Sequence, residues 1–423
     1  MRRLFMAACM ALGLVACGGG GGEGPSTDAA SSTPTSAAAL KAKPVIADPT
    51  LVGQDVTVVN TTTAGNQAFL AIGALADGGY TVAWASGSST FFQRYDSAGA
   101  KVGGEISIPL VGATAVLTDG GVVVVRRTFD AQGGGISFSR FDASGGLVVE
   151  GVVATNIQYQ IPFNPSSLTP NLQVASLADG GFIVGWTVAD RAERTRTFIR
   201  RYDSQGAPVG SDIVAALITG TPDIQLAADA EGGYTVTFSR GSPLVHIDAN
   251  GTRTDIHPPY FGNALLLPLE GGRFVFFGLD SSGAPYRQFL DSTGALVGSP
   301  TPIVSSPFDA RELADGSFVV FFNSSGTITA QRFDGTGAPL GDLLTLQTSG
   351  AIPGVAALVE GGFADAWSAP SMAGDLDVFT QRFIEVLTHD QAALRAKRKA
   401  CLNSAKGMTG RERKAFIDAC LAA

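Results

Sequence analysis

Along most of the chain, apolar and polar positions alternate with period two in short runs, and tight-turn residues break the runs at recurring intervals. The stretch LADGGFIVGW (177–186) shows the unit: an apolar run, Asp-Gly-Gly, then a β-branched and aromatic run. Its relatives are LADGGYTVAW (75–84), LTDGGVVVVR (117–126), AEGGYTVTF (230–238), LEGGRFVFF (269–277), LADGSFVVFF (313–322) and VEGGFADAW (359–367). The second glycine of the turn falls at Gly79, Gly121, Gly181, Gly233 and Gly272, then at Ser317, then at Gly362. A second element follows most copies, as in FFQRYDSAGAKVGGEISI (91–108) and FIRRYDSQGAPVGSDIV (198–214). Period-two alternation rich in Val, Ile, Phe and Tyr predicts strands. Asp-Gly-Gly supplies the positive φ angles of a two-residue hairpin turn, and Asp-x-x-Gly suits a type I turn closed by a left-handed glycine.

Each unit therefore has four strands, and seven such units predict an all-β, seven-bladed β-propeller with four-stranded blades over residues 50–387. The seventh unit ends at VFTQRFIEV (378–386) without a last strand, whereas LVGQDVTVV (51–59) precedes the first unit and resembles APVGSDIVA (207–215). A ring must not leave its last blade with an unpaired edge. The N-terminal strand is thus expected to close blade seven, where an open solenoid would have no use for it. Asp77, Asp119, Asp179 and Asp315 are expected to be turn residues. The motif has only a loose similarity to the Asp-box of sialidase-type propellers, since the leading serine is absent and the tryptophan lies too far from the aspartate.

The termini have a different composition. Residues 1–16 form a signal peptide, with Arg2 and Arg3 before an apolar core too short to span a bilayer. Leu14-Val15-Ala16-Cys17 resembles the bacterial lipoprotein lipobox. The resemblance implies acylation of Cys17, palmitate among the chains, and anchoring in a membrane. Gly18 after the cysteine implies the outer membrane, on either its periplasmic or its exposed side. Residues 17–49, rich in Gly, Ser, Ala, Thr and Pro, are expected to be the lipidated cysteine and a flexible tether.

From Thr388 the pattern becomes helical. Thr388 with Gln391 and Thr409 with Glu412 have capping-box spacing, and Gly407 and Gly410 bracket a turn. Residues 388–423 are therefore expected to fold as a small α-helical hairpin, with Cys401 facing Cys420 and paired to it in an oxidising compartment; two free thiols are the alternative. KACLNSAKGMTGRERKAFIDACL (399–421) is similar to the PsiF-type repeat of bacterial phosphate-starvation-inducible proteins. That resemblance implies an extracytoplasmic address and no particular reaction.

Charge and chemistry narrow the function. The chain carries a net −8, and the acidic body excludes a phosphate-backbone reader, which needs a basic face. His246, His257 and His389 have no ligand spacing, and no nucleophile elbow, phosphate loop or dinucleotide fingerprint occurs. No metal and no cofactor are expected. Propeller topology puts the Asp-Gly turns on one face and the variable loops on the other, where binding residues commonly sit. Candidate ligand contacts there are Arg126, Arg127, Tyr159, Phe163, Arg191, Arg194 and Arg196, types suited to protein, anionic or sugar groups. Asp375 and Asp377 are the close carboxylate pair on that face. The expectation is a monomeric, lipid-anchored, non-enzymatic binding or scaffolding protein of the cell envelope, with an envelope protein or glycan as ligand. The alternative is an envelope hydrolase of glycan or polymer using carboxylates on that face.

Overall fold

In the computed structural model of the chain, the described residues are 50–386 and scattered positions between 393 and 420. Within the first range, 129–133, 156–171, 190–193, 220–223, 230, 239–243, 258–264, 348–352 and 372–373 are not described. All of them belong to the compact unit Leu40–Ala423.

The Asp-Gly-Gly turns set the blade geometry. In blade one the Gly78 N–H donates to the Leu75 carbonyl and the Leu75 N–H donates to the Gly79 carbonyl. Gly78 has φ +92°. This is a three-residue loop, a type I turn followed by a left-handed glycine, and not the two-residue turn expected from the sequence. The second glycine has a different reason to be there. A Cβ at Gly79 would run into the Tyr95 carbonyl oxygen, and one at Gly121 into that of Phe141. The Asp-x-x-Gly turn follows its expectation: Asp96 Oδ1 accepts from the N–H groups of Ala98 and Ala100.

Seven antiparallel sheets result, six of four strands and one of five. Blade one runs Gln67–Ala74, Tyr80–Ser86, Ser89–Tyr95 and Lys101–Ile108, from innermost strand A to outermost strand D. The A strands of successive blades pack beside one another about the centre. Between neighbouring blades lie apolar clusters, such as Phe182, Tyr202 and Phe138 between blades two and three, or Phe363, Phe383 and Phe321 between six and seven. The seven-bladed architecture read from the sequence is the architecture found.

Ring closure has the expected partner and an unexpected form. Thr50–Gly53 pairs with Phe383–Val386, and Thr57–Val58 pairs with Phe379 and Thr380. The strap is therefore two short strands with a break between them. Across the break, the Gln54 N–H donates to the Arg382 carbonyl and Gln381 Nε2 donates to the Gln54 carbonyl at 2.7 Å. Beyond it, buried Asn60 donates from Nδ2 to Asp377 at 2.7 Å and accepts the Val378 N–H at 2.7 Å.

The C-terminal α-helical hairpin is corrected. Every element among the described residues is a strand. In the tail, single described positions such as Ala393, Cys401 and Phe416 have helical backbone, and no helical element is among the described residues. The disulfide expected there is present: Cys401 and Cys420 are bonded, 5.8 Å apart at Cα, and Cys401 is buried. Among the described residues no helix is long and apolar enough to cross a membrane. Cys17, the tether and the signal peptide lie outside the described residues.

Candidate functional site

The A strands enclose a central cavity of about 480 Å³, the size of a small-ligand pocket. Six blades contribute described lining residues, mostly Ala, Gly, Val, Leu and Ile. Two of the described lining residues are charged, Asp229 of blade four and Arg311 of blade six. Both belong to the turn-face half of the ring: Asp229 begins the A–B turn and Arg311 is next to last in Pro307–Glu312.

The other blades explain why Asp229 is unusual. The residue that begins the turn is Leu75, Leu117, Leu177, Leu269, Leu313 and Leu358, each buried. Two residues later, Asp77, Asp119, Asp179 and Asp315 each accept an N–H with one oxygen and pair through the other with a C-strand arginine of the same blade. Those partners are Arg94, Arg140 (2.6 Å), Arg201 (2.7 Å) and Arg332 (2.5 Å). Blade four departs at both places. The turn begins with Asp229 in place of leucine, and the C strand carries His246 in place of arginine. Asp229 Oδ2 lies 3.0 Å from His246 Nε2, and its Oδ1 accepts the Gly233 N–H at 2.6 Å. The pair is enclosed, with side-chain exposures of 7% for Asp229 and 11% for His246. Phe274 of blade five meets the imidazole edge to face at 4.8 Å.

Carboxylates crowd the same corner. Glu231, two residues on in the turn, accepts the Gly271 N–H at 3.2 Å. Burial raises its carboxyl above the ordinary range, and the Asp229 charge adds to the shift. Both oxygens of Glu312 receive the Glu270 N–H at 3.0 Å. On the other side, Arg311 pairs with Asp309 at 2.7 Å and donates from Nε to the Val355 carbonyl at 3.2 Å. The cavity wall thus offers a carboxylate backed by an imidazole, a nearby acid favouring its neutral form, and a fixed guanidinium. That set can move a proton and stabilise a developing negative charge. Among the described residues no group of three or more His, Cys, Asp and Glu is arranged to hold a metal ion.

The residues expected from sequence lie elsewhere. Arg126 and Arg127 end the B strand of blade two, half-buried; Arg194 and Arg196 begin the C strand of blade three, with Arg196 exposed. All four are on the loop face. Tyr159, Phe163 and Arg191 fall outside the described residues. Asp375 and Asp377 serve the strap: Asp375 accepts the Gly65 N–H at 3.0 Å, and Asp377 holds Asn60. The blade-four pair was missed because neither residue sits in a linear motif. Aligning the seven repeats on the first apolar B-strand residue after the turn exposes it.

Fold and site together define a closed seven-bladed β-propeller with an acid–base corner on its central cavity. No protein-family model and no curated protein matches the chain. Solved structures do. A streptogramin B lyase superposes with a TM-score of 0.50 at 13% identity, covering 78% of this chain and 98% of that one. Virginiamycin B lyase from Staphylococcus aureus gives 0.47 at 13% identity, over 79% and 100%. Prolyl oligopeptidase B from Galerina marginata gives 0.45 at 10%, over 76% of this chain and 47% of that one. At such identities the likeness establishes the fold. The described residues of the cavity include groups fit for acid–base work. The expectation of a non-enzymatic scaffold is corrected accordingly.

Proposed function

We propose that this protein is a cell-envelope enzyme that cleaves a glycan or another polymer by acid–base chemistry in the central cavity. The observation that carries the reading is the double departure of blade four, where Asp229 and His246 replace a buried leucine and an arginine and meet, with Asp229 lining the cavity. A scaffold has no need of that exchange. It removes a core leucine and puts a carboxylate where six blades have apolar packing.

In this reading Asp229 takes or gives the proton at the substrate, and His246 behind it holds its orientation. Arg311 offers the positive charge for the developing anion. A cavity of about 480 Å³ has room for a terminal group or one or two residues of a polymer. Lipid attachment at Cys17, with the PsiF-like tail as a small appended module, completes the proposal and places the enzyme outside the cytoplasm.

The test is to incubate the full chain with envelope glycans, peptidoglycan fragments and ester- or lactone-linked polymers, and to read the products by mass. Fragments that gain one water indicate hydrolysis, and fragments that sum to the starting mass with a new double bond indicate elimination. No change in any substrate across the panel would overturn the catalytic reading.

A further inference from the structure

Five of the seven B strands carry valine at one place in register, three residues after the second turn glycine or its serine replacement, at Val82, Val124, Val184, Val236 and Val320, and blade five has Phe276 at that place, each at most 1% exposed. Blade seven, the blade that closes the ring, has Asp365 there, with 0% exposure. Neither carboxylate oxygen of Asp365 has a partner in good hydrogen-bond geometry, although the backbone N–H groups of Gln381 and of Asp365 itself lie close enough to favour the charged form against the larger effect of burial. Directly opposite in register is Gln381, whose Oε1 is also buried without a partner. Residues directly opposed on an antiparallel pair have Cβ atoms about 4.5–5.5 Å apart, close enough for a carboxyl O–H to reach an amide oxygen. The other end of the same glutamine donates to the Gln54 carbonyl, in the break of the strap.

We propose that Asp365 is a proton-operated latch on ring closure: protonated, it donates to Gln381 and fixes that side chain as the holder of the strap; ionised, it releases the glutamine and loosens blade seven. The A strand of the same blade, Gly354–Ala357, lines the central cavity, so the latch bears on the shape of the cavity. The device does not depend on the cavity being catalytic.

The surroundings leave the carboxyl no cation. On the A strand its opposite residue is Val355. Blade six presents Val319 and Phe321 to this seam. The nearest charged groups on the blade-six A strand, Asp309 and Arg311, are paired with each other. Glu385, on the same side of its strand as Gln381, is held by Arg332 at 3.2 Å. From blade one comes the Tyr80 hydroxyl, itself raised by burial and neutral. Burial pushes the Asp365 carboxyl up to about 7. With the strap open, the group is solvated and titrates in the usual carboxylate range. The closed form therefore binds the proton more tightly. Opening is rarest in acid, rises by up to about tenfold per pH unit towards neutrality, and levels off above the closed-state value.

The test is hydrogen exchange of the full chain, followed by mass spectrometry on strap peptides and corrected for the intrinsic pH dependence, between about pH 5 and pH 8. Wild type runs beside Asp365→Asn, which still donates to Gln381 and cannot titrate, and Asp365→Val, which restores the repeat. The expected result is strap protection that falls with pH in wild type and stays constant in both variants. Equal pH dependence in wild type and Asp365→Asn would overturn the latch, as would a loss of protection spread evenly over all seven blades.

Discussion

The repeated Asp–Arg pair gives one interaction in several degrees of burial, and so allows a graded test. Arg332 and Asp315 have side-chain exposures of 3% and 2%, and Arg332 also reaches Glu385, which is fully buried. Its Nε donates to Ser317 Oγ at 2.9 Å. Arg332→Met removes the cation from two buried carboxylates, which is expected to cost about 3–5 kcal/mol. Arg94→Met breaks the same pair of the repeat where the partners are 36% and 50% exposed. Water and salt screen that pair, and the expected cost is under about 1 kcal/mol. Urea unfolding at neutral pH, followed by fluorescence of the buried Trp84, Trp186 and Trp367, measures both. Replacing Asp315 as well, in Arg332→Met with Asp315→Leu, is expected to recover part of the loss, because one of the two orphaned carboxylates is gone and Glu385 alone still faces the methionine. Equal midpoints for Arg332→Met and Arg94→Met would refute the claim that burial decides what this repeated pair contributes.

Other expectations are smaller in scope. Asn60→Ala strands the buried Asp377 and should cost about 1–3 kcal/mol, with faster proteolysis within residues 50–66 than elsewhere in the propeller. Gly121→Ala forces a Cβ against the Phe141 carbonyl and should lower stability by about 1–3 kcal/mol in the same urea assay. Thiol alkylation without reductant should leave Cys401 and Cys420 unlabelled, and label both after reduction. Cys17→Ser should move the protein from the membrane to the soluble fraction in a cell-fractionation experiment.

Much of the fold was legible because turns and alternation are local. Asp-Gly-Gly and Asp-x-x-Gly mark hairpins over four or five residues, and seven copies imply a ring. The missing strand of blade seven and the surplus strand at residue 51 pointed to each other. What was not legible depends on residues brought together from a distance. The Arg94–Asp77 pair joins positions 17 apart, through a strand pairing that fixes their register. The break in the strap follows from contacts of Gln54 with Gln381 and Arg382, more than 300 residues away. Asp229 and Asp365 were open to inspection as departures from leucine and valine. A search for linear chemical motifs passes over both, because their meaning lies in what the other blades have at the same place. In the tail, capping-box spacing favoured helices, yet the described residues there establish a disulfide and no helical element.

The measurement that bears most directly on the account is turnover by the double variant Asp229→Leu with His246→Arg. This exchange gives blade four the residues that blade three has at the two places, Leu177 and Arg201, with Glu231 left as the partner for the new arginine, so the ring should fold at least as stably as wild type. The account predicts cleavage of an envelope polymer by wild type and none by the folded double variant. Equal turnover by the two proteins would show that the blade-four departure is not the catalytic site.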